Sequence, residues 1–443
     1  MTRFDPAGPL RGALRPPADK SISHRAALIA AMGEGETSVE GYLDADDSRS
    51  TLAAIEALGA SIDEVSPFSR PPRETRHAGL ALRIRGIGLR GARPAQIDVG
   101  NAGTLLRLLP GWLAGQDGGE WTLDGDDSIR RRPVDRVATP LREMGADLGA
   151  REERLPPLLV RGAPLHGIEY EMPIASAQVK SCLLLAGLLA EGETRVVEPL
   201  PSRDHSERML AAAGARVERS AVGDGRSVVT IHPAGRLEPG AIVVPADISS
   251  AAFFIVAGLL VPGSELVLEG VGVNPTRTGI LTILARMGAE IEIEPRGEEG
   301  GEPIADLRLR PTQLSATEVG GAEVPLAIDE LPLVALAACF AEGTTTIRDA
   351  AELRRKESDR VETVSAALNA LGGAVEPIED GMVITGTGGL RGGTIESHGD
   401  HRIAMLGAVA GLTSAEGVEV VGMDAAAVSY PGFEADLGSL LGG

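Results

Sequence analysis

The sequence predicts an α/β fold of two lobes, each built from three repeated units. The chief observation is an internal repeat of roughly 70 residues, in which a polar helix start, a buried helix, a glycine and a strand follow one another. The length of 443 residues is more than one hydrophobic core usually holds. Aromatic residues make up only 2% of the chain, so we expect cores of packed small aliphatic side chains.

Six alanine-rich segments define the repeat. They begin at Ser23, Ala102, Ser176, Ser249, Asp329 and His401. After most of them, a second amphipathic helix is predicted to end in a glycine-containing turn. The turns are Leu58-Gly59-Ala60, Met144-Gly145-Ala146, Ala213-Gly214-Ala215, Met287-Gly288-Ala289 and Leu371-Gly372-Gly373. The sixth copy is shortened at Phe433, so we expect the amino-terminal segment of the chain to complete it.

Three units per lobe are the natural division of this repeat. We expect lobe I to comprise residues 1–18 and 243–443, and lobe II to comprise residues 20–241. The chain then crosses between the lobes near Pro17 to Lys20 and near Ile242 to Pro245. Two segments, residues 67–77 and 295–303, are rich in Pro/Arg and Gly/Glu respectively, which predicts exposed insertions.

The composition excludes several classes of protein. A net charge of −21 argues against nucleic acid or an anionic membrane as the main partner, because both favour a basic surface. The start, MTRFDPAGPLRGALRPP, has no apolar region typical of a signal peptide, and apolar runs such as Ala251 to Val261 are too short to span a bilayer. We therefore expect a cytoplasmic protein. Cys182 and Cys339 lack the spacing of metal ligands, which predicts buried thiols.

Lysine is almost absent from the chain. Of 42 basic residues, only Lys20, Lys180 and Lys356 are lysines. A surface charge tolerates exchange of lysine for arginine, whereas a proton donor or a compact ammonium group does not. The three lysines are therefore candidates for roles that arginine does not fill, against the alternative that they have survived by chance.

Polar and basic residues collect at the predicted helix starts, where free backbone N–H groups and the helix dipole favour anions. The clusters are Lys20, Ser21 and Arg25; Asn101, Gly103, Thr104 and Arg107; Arg130 to Arg132; Ser176, Gln178 and Lys180; Arg203; Lys356, Glu357 and Arg360; and His401 with Arg402. Taken alone, each cluster is also typical of helix capping or of a solvated face. Because they recur at equivalent ends of repeated units, together they predict a shared site for small phosphorylated anions.

Candidates for acid–base chemistry accompany these cations. Asp329 precedes the buried run LPLVALAA, where a carboxylate needs a partner or a chemical task, the alternative being an N-cap. Lys20 and Glu357 are candidate proton donors beside a bound anion. Glu357 and Arg360 are three residues apart, a spacing that is equally expected of a solvated surface pair.

At these residues the chain resembles the 5-enolpyruvylshikimate-3-phosphate synthase family of enolpyruvyl transferases. The matching segments are ADKSISHRA, GNAGTLLRL, ASAQVKS, AIDELP, RRKESDR and GDHR, which extend from Lys20 to Arg402. The chain is most similar to the branch of the family that has SAQVKS and SRDH. The resemblance implies two lobes of three βαβαββ units each, in agreement with the repeat count. It also implies transfer of the enolpyruvyl group of phosphoenolpyruvate to the 5-hydroxyl of shikimate 3-phosphate, with release of phosphate.

The resemblance also implies roles for individual residues. The candidate proton carriers are Lys20, Asp329 and Glu357. The residues expected to bind phosphoenolpyruvate are Lys20, Gly103, Arg132, Gln178, Arg360 and Arg402. The residues expected to bind shikimate 3-phosphate are Lys20, Ser21, Arg25, Ser176, Gln178, Arg203, Asp329 and Lys356. Arginine forks bind carboxylate and phosphate bidentately, so neither a metal nor a cofactor is expected.

Three further expectations follow from the resemblance. Glyphosate, which occupies the phosphoenolpyruvate site in this family, is expected to inhibit the protein. A monomer is expected. Many relatives have a lysine shortly before the final aromatic-Pro pair, whereas this chain has Val428 in AVSYPGF, so either the arginines suffice there or phosphate release is handled differently.

Two other functions compete with this interpretation. UDP-N-acetylglucosamine enolpyruvyl transferases share the fold, but KSISHRA and SAQVKS are similar to the shikimate enzymes and no loop cysteine is available as an acid. A non-catalytic repeat protein that binds anions would not need Asp329, Glu357 and Lys20 together.

Overall fold

The structure, a computed structural model, describes residues 1–66, 79–223 and 225–441. Within these ranges the strands are β1 (Thr2–Phe4), β2 (Arg11–Leu14), β3 (Glu36–Tyr42), β4 (Ser61–Val65), β5 (Leu80–Arg85), β6 (Ala95–Asp98), β7 (Glu120–Asp124), β8 (Asp147–Arg151), β9 (Leu155–Arg161), β10 (Glu169–Glu171), β11 (Thr194–Glu198) and β12 (Val217–Ala221). They continue with β13 (Ser227–Ile231), β14 (Ala241–Val243), β15 (Glu265–Gly272), β16 (Ile291–Glu299), β17 (Glu302–Leu309), β18 (Glu318–Val319), β19 (Thr344–Ile347), β20 (Ala374–Ile378), β21 (Gly381–Thr385), β22 (Gly393–Glu396) and β23 (Val418–Val421).

The helices alternate with these strands. They are α1 (Lys20–Met32), α2 (Asp46–Leu58), α3 (Gly103–Ala114), α4 (Asp135–Glu143), α5 (Ala177–Gly187), α6 (His205–Ala212), α7 (Ile248–Leu260), α8 (Gly279–Arg286), α9 (Val324–Ala327), α10 (Leu331–Phe340), α11 (Arg360–Ala370), α12 (His401–Thr413) and α13 (Phe433–Leu441). Short 3-10 helices lie at Ile129–Arg131, Gly321–Glu323, Ala351–Arg355 and Met423–Val428. None of the helices in the described ranges is long and apolar enough to cross a membrane.

The repeated unit is a small βαβαββ sheet. One example runs β6-α3-β7-α4-β8-β9, and its strands lie side by side in the order β6-β7-β9-β8. The first two strands pair in parallel across the buried helix, and the last two form an antiparallel hairpin. The units that contain α5 and α10 have the same order of strands, so the predicted repeat and its unit are confirmed.

Two units take their first strand from a distant part of the chain. In the unit that contains α1, β14 pairs in parallel with β3. In the unit that contains α7, β2 pairs in parallel with β15. The sixth unit has a sheet of three strands, in which β1 pairs antiparallel with β23. The amino-terminal segment therefore completes the shortened sixth unit, as expected.

The buried apolar side chains form two separate cores. The core of lobe I contains Leu10, Leu14 and residues between Ile248 and Leu440. The core of lobe II contains residues between Ala18 and Val244. The first helix of each unit, such as α1 in lobe II or α12 in lobe I, is buried on nearly all sides, which explains its continuous apolar sequence.

The chain crosses between the two cores twice, and the two crossings lie against each other. The Asp19 amide donates a hydrogen bond to the Pro245 carbonyl (2.8 Å), and the Asp247 amide donates one to the Pro17 carbonyl (2.8 Å). Both aspartates cap helices, because Asp19 accepts from the amide of the third residue of α1 and Asp247 accepts from the amide of the second residue of α7.

Arg277 joins the two crossings. Its guanidinium lies 3.2 Å from Asp19 and 3.0 Å from Asp247, and only 3% of its side chain is exposed. Burial and the neighbouring Asp19 charge raise the pKa of Asp247, an effect that Arg277 opposes. A buried cation between two buried carboxylates thus fixes the starts of α1 and α7 relative to each other.

The predicted glycine turns after the second helices are also confirmed. Gly59, Gly145, Gly214, Gly288 and Gly372 all have φ between 91° and 112°, the left-handed region that glycine adopts without a steric penalty. Cys182 and Cys339 are both buried free thiols, as expected.

The expectations for the two insertions have different outcomes. The 67–77 segment lies outside the described residues. The 295–303 segment is largely exposed, as expected, but it is not an irregular loop, because most of it belongs to the hairpin of β16 and β17. Glu302 in this hairpin is only 1% exposed and lies 2.8 Å from Nδ1 of His205, which belongs to lobe II. A partner so distant in sequence left no signal in the local Gly/Glu composition.

Helices α3 and α5 approach each other closely at Gly111. A Cβ atom at this position would lie 2.1 Å from the carbonyl oxygen of Cys182, which no side chain can accommodate without moving the backbone. Glycine at position 111 is therefore required for the close contact between α3 and α5.

We predict that Gly111→Ala lowers the free energy of unfolding by about 1–3 kcal/mol, because α3 must move away from α5. Alanine improves helix propensity by only about 1 kcal/mol, which the displacement outweighs. Urea denaturation measures the change. Gly235→Ala is the control, because no heavy atom lies within 4 Å of its added methyl. A Gly111→Ala protein as stable as its control would contradict the close approach.

Candidate functional site

The first helices of all six units start at one cavity between the lobes. The cavity has a volume of about 610 Å³. Its lining includes residues at or next to these helix starts, namely Lys20, Gly103, Ser176, Ser249, Asp329 and Arg402. Free N–H groups at six helix starts give the cavity a positive potential before any side chain is counted.

One wall of the cavity is formed by α1. Lys20 is its first residue, and its ammonium lies 2.9 Å from the Asp47 carboxylate. One turn later, Arg25 is buried and donates hydrogen bonds to the hydroxyls of Ser206 (2.7 Å) and Ser181 (2.9 Å) and to the Ser21 carbonyl (2.9 Å). These three acceptors hold the Arg25 guanidinium rigidly at the cavity wall.

Helices α3 and α5 form the adjoining wall. Arg107 donates a hydrogen bond to the Gln178 side chain (2.9 Å), whose amide in turn donates to Thr104 (3.2 Å). A Cβ atom on Gly103 would lie 2.6 Å from Nη1 of Arg132. Glycine at this position therefore gives the Arg132 guanidinium the space next to the start of α3.

The opposite wall comes from α11 and α12. Arg360 is 1% exposed and donates two hydrogen bonds to Asp400, at 2.8 and 3.0 Å, and a third to Glu357 at 2.6 Å. Asp400 also caps α12 by accepting from the Arg402 amide (2.9 Å). The bidentate pair fixes the plane of the Arg360 guanidinium, and Arg402 follows the cap directly.

Asp329 is the point at which cations from both lobes meet. Its carboxylate lies 2.6 Å from Arg203, 3.2 Å from Lys356 and 3.4 Å from Arg360. Burial acts to raise the pKa of Asp329, but the charges of Lys356 and Arg203 outweigh it and hold the pKa well below its usual range. Asp329 is therefore ionised. It is not an N-cap, because that position of α10 belongs to Glu330.

Glu357 connects the lobes in a similar way. It contacts Arg360 in its own lobe and lies 3.5 Å from Arg132 of lobe II. Burial acts to raise the pKa of Glu357, but the Arg360 and Arg132 charges hold it well below its usual range. The spacing of Glu357 and Arg360 thus produces a cavity pair, and the solvated surface pair is excluded.

Several cationic donors in the cavity wall have no acceptor. Nε of Arg107 and Nε of Arg132 are buried without a hydrogen-bond partner in the part of the chain that the structure describes. Burial, together with the neighbouring Arg132 charge, lowers the pKa of Arg107 to about 10. The crowded cations repel one another, and a bound anion would relieve this repulsion. The cavity is therefore suited to binding polyanions. Its ionised carboxylates are suited to accepting protons.

A smaller cavity of about 350 Å³ adjoins the main one. The two share Lys20, Arg132 and His401 in their linings, and the smaller one also reaches Asn101 and Val428. Burial lowers the pKa of His401 to about 3, with the Lys20 charge acting in the same direction, so its imidazole is neutral at physiological pH. Val428 thus lines this smaller cavity without contributing a charge, and the cations of the cavity come from other residues, such as Lys20 and Arg132.

Comparison with known proteins identifies the family of the chain that forms this cavity. Residues 4–437 match the family model described as EPSP synthase (3-phosphoshikimate 1-carboxyvinyltransferase). The chain belongs to the EPSP synthase family.

Individual relatives of the EPSP synthase family are similar over nearly their whole length. The 3-phosphoshikimate 1-carboxyvinyltransferase of Gloeobacter violaceus is 52% identical over 431 residues, which cover 97% of this chain and 96% of the relative. That of Geobacter sulfurreducens is 49% identical, with 97% and 96% covered. A solved structure of the EPSP synthase of Acinetobacter baumannii has a TM-score of 0.83 and 41% identity, and the match covers 99% of this chain and 97% of that one.

The structure brings together every residue that the sequence singled out as an EPSP synthase site residue. All of them line the main cavity, and they are Lys20, Ser21, Arg25, Gly103, Arg132, Ser176, Gln178, Arg203, Asp329, Lys356, Glu357, Arg360 and Arg402. Four members of the predicted anion clusters do not line the main cavity. Asn101 and Arg131 line the smaller cavity, Arg130 is bonded to Asp124 at the surface, and Lys180 is fully buried on α5.

Sequence reasoning missed several residues that this EPSP synthase cavity contains. Asp47, the partner of Lys20, lies at the start of α2, and its acidic sequence DADD gave only the signal of a helix start. Arg136 and Glu352 form a bidentate pair across the cavity, with two contacts of 2.8 Å. Arg277, which joins the two crossings, also lines the cavity. No sequence motif marked Arg136, Glu352 or Arg277.

The buried histidines of this EPSP synthase family member predict a dependence of stability on pH. Burial lowers the pKa of His24 from 6.5 to about 4. Between pH 6.5 and about 4, His24 is therefore protonated in the unfolded chain but not in the folded protein. As the pH falls through this range, the free energy of unfolding decreases by about 1.4 kcal/mol per pH unit for each such histidine. His401 acts in the same direction.

We predict that His24→Gln reduces the slope of stability against pH between pH 6 and 4.5 by about 1 kcal/mol per pH unit. Urea unfolding at pH 7.5, 6 and 4.5 measures the slope, and the values at pH 7.5 control for the loss of the His24 contact to Thr51 (2.6 Å). Equal slopes for the wild type and the variant would mean that the folded protein accepts the His24 proton.

Proposed function

We propose that this chain transfers the enolpyruvyl group of phosphoenolpyruvate to the 5-hydroxyl of shikimate 3-phosphate, giving 5-enolpyruvylshikimate 3-phosphate and phosphate. The observation on which this depends is the position of Asp329. An ionised carboxylate lies among Arg203, Lys356 and Arg360, with further cations on both walls of one cavity. A proton acceptor between two anion-binding walls is what a reaction between two phosphorylated substrates requires.

We assign two sets of cavity residues to the two substrates and call them the shikimate 3-phosphate wall and the phosphoenolpyruvate wall. Shikimate 3-phosphate lies against Lys20, Ser21, Arg25, Ser176, Gln178, Arg203, Asp329 and Lys356. Phosphoenolpyruvate lies against Lys20, Gly103, Arg132, Gln178, Arg360 and Arg402. The rigid Arg25 and Arg360 guanidinium groups support this division, because each is fixed by at least three hydrogen bonds before substrate arrives.

We also assign each proton transfer to one group, and the charges of the free protein support this assignment. Asp329 accepts the proton of the 5-hydroxyl as the oxygen bonds to C2 of phosphoenolpyruvate. Lys20, an ammonium paired with Asp47, donates a proton to C3 and so gives a tetrahedral intermediate. Glu357, which is ionised, then removes a proton from the new methyl group while the bond from C2 to the phosphate oxygen breaks. The carbon–carbon double bond re-forms and phosphate leaves.

We also propose the organisation in which this reaction occurs. Lobe I comprises residues 1–18 and 243–443 and lobe II residues 20–241; the two separate cores support this division, although Ala18, Ile242 and Val244 at the crossings pack in the core of lobe II. The protein acts as a monomer, since one chain supplies every residue assigned to the substrates. It acts in the cytoplasm, where a reducing environment keeps buried thiols such as Cys182 and Cys339 unpaired.

Release of inorganic phosphate from phosphoenolpyruvate tests the proposed reaction. We expect release that depends on shikimate 3-phosphate, with stoichiometric formation of the enolpyruvyl ether. Release that instead depends on UDP-N-acetylglucosamine would assign the protein to the other enolpyruvyl transferases. Binding of both anions without release, from folded protein, would leave an anion-binding protein and contradict the proposal.

We predict that Lys20→Arg lowers kcat at least about tenfold, because arginine keeps the positive charge but is a much poorer proton donor. Steady-state kinetics with both substrates saturating measures the effect, and calorimetric binding of each substrate separates it from a loss of affinity. Near-normal turnover of Lys20→Arg would remove this residue from the proton transfers.

We predict that Arg203→Ala raises KM chiefly for shikimate 3-phosphate and that Arg402→Ala raises KM chiefly for phosphoenolpyruvate. Each change costs on the order of 2 kcal/mol, the value of a charge-assisted hydrogen bond. Because ordered binding can mix the two constants, direct binding of each substrate is measured as well. If the two variants exchange their effects, the assignment of the walls is wrong.

We predict that the protein is inhibited by glyphosate and that Gly103→Ala weakens this inhibition about tenfold or more, with a smaller effect on phosphoenolpyruvate. The added methyl lies 2.6 Å from the Arg132 guanidinium and 3.4 Å from that of Arg107, and overpacking of this kind costs roughly 1–3 kcal/mol. Inhibition constants are compared at matched saturation with phosphoenolpyruvate. Equal inhibition of the wild type and the variant would show that position 103 does not face the inhibitor.

A further inference from the structure

Lys180 is one of three lysines in the chain, yet it does not line the cavity. It lies on α5 with no exposed surface, and its ammonium is enclosed by two carboxylates. Nζ lies 3.0 Å from Oε2 of Glu198 and 2.7 Å from Oε1 of Glu207. Only a compact ammonium on a thin stem is suited to this enclosed space, which explains why arginine does not replace it.

The two carboxylates differ in how far they depend on Lys180. Glu198 also accepts hydrogen bonds from the hydroxyls of Ser202 and Ser227. Glu207 is 3% exposed, and its Oε2 atom has no hydrogen-bond partner among the described residues. Lys180 provides the one ion pair found for Glu207 in the described ranges, so without Lys180 a buried carboxylate would be left with an uncompensated charge.

The cation that would respond to such a charge is Arg25 of the substrate cavity. Burial lowers the pKa of Arg25 to about 10, and the Glu207 charge opposes that shift more than any other group does. The hydroxyls that hold Arg25 belong to Ser181 and Ser206, the immediate sequence neighbours of Lys180 and Glu207. The two residues of the Lys180–Glu207 contact are therefore the sequence neighbours of the two serines that hold Arg25.

Lys180 also contacts the segment that presents Arg203. Its ammonium lies 3.3 Å from the carbonyl oxygen of Ser202. The next residue, Arg203, reaches across the cavity to Asp329. One buried ammonium thus contacts the residue before Arg203 and the sequence neighbour of a serine that holds Arg25, and the proposed function assigns both arginines to shikimate 3-phosphate.

A purely stabilising role does not account for this arrangement. Replacing a buried ion pair by apolar side chains of similar volume is often neutral or favourable for stability, whereas removing one partner is strongly unfavourable. A buried lysine between two glutamates is therefore better explained by what it does to the charges around it.

We propose that Lys180 is a positioning residue for the shikimate 3-phosphate wall: its ammonium neutralises Glu207 and so leaves Arg25 and Arg203 directed at the substrate. The proposal rests on the proposed function of the cavity. Lys180 itself does not touch substrate, so its effect is specific to one substrate and depends on the Glu207 charge.

Two variants test this dependence. Lys180→Met fills the same volume without charge and is expected to raise KM and Kd for shikimate 3-phosphate about tenfold or more, with KM for phosphoenolpyruvate changed less than about threefold. The double variant Lys180→Met/Glu207→Gln removes both charges and is expected to recover most of the lost affinity. A structural role alone would raise both KM values and recover both together in the double variant, so the selective loss and recovery for shikimate 3-phosphate identify the positioning role.

Ser227→Ala is the matched control, since it alters the same buried cluster by removing a donor to Glu198 (3.2 Å) but changes no charge. Both of its KM values are expected to equal those of the wild type. Where Lys180→Met does not fold, Lys180→Gln replaces it, because glutamine keeps a donor for the Ser202 carbonyl without the charge.

The results separate the role of Lys180 from the function itself. Wild-type protein that releases no phosphate with shikimate 3-phosphate overturns the proposed function. Wild-type turnover combined with an equal rise of both KM values in the lysine variant overturns only the positioning role. Failure of the folded double variant to recover affinity for shikimate 3-phosphate overturns it as well.

Discussion

The cavity depends on the buried contact of Arg277 with Asp19 and Asp247. Each aspartate caps the first helix of a different lobe, and one guanidinium holds both. Because α1 and α7 start on either side of this contact, the distance between the two walls of the cavity is fixed where the chain crosses between the lobes. Any movement of one lobe against the other must pivot about these two crossings, which form two hydrogen bonds with each other.

The cations of the cavity would repel each other strongly if carboxylates did not separate them. Asp47, Asp329, Glu357 and Asp400 each contact at least one lysine or arginine of the walls. The result is a preorganised cavity in a strongly acidic protein, where cations outnumber carboxylates in the lining and some arginine donors are left for ligand. A site built in this way binds a polyanion without first ordering flexible side chains, which lowers the entropic cost of binding.

The sequence was sufficient to predict the repeat, the helix starts and the cavity residues at or near those starts, because each shows a local pattern. A polar helix start before a buried run marks one end of a unit wherever it occurs, and six such ends converge once the units pack. Pairs between distant segments left no such pattern. Two such pairs join the lobes, Arg136 with Glu352 and His205 with Glu302. Arg277 contacts Asp19, which lies 258 positions away. For this reason the sequence predicted the exposure of much of 295–303 but not its hairpin or the buried Glu302.

The pairing of the first strands has a consequence for how the protein is made. β1 and β2 leave the ribosome before any other element, yet their partners are β23 and β15, the last strand of the chain and one beyond its middle. The core between Ala18 and Val244 can condense during synthesis, while the amino-terminal strands stay unpaired until much later. Unpaired strand edges invite association between nascent chains. A chain that terminates before β15 and β23 therefore leaves both of its amino-terminal strands without their partners.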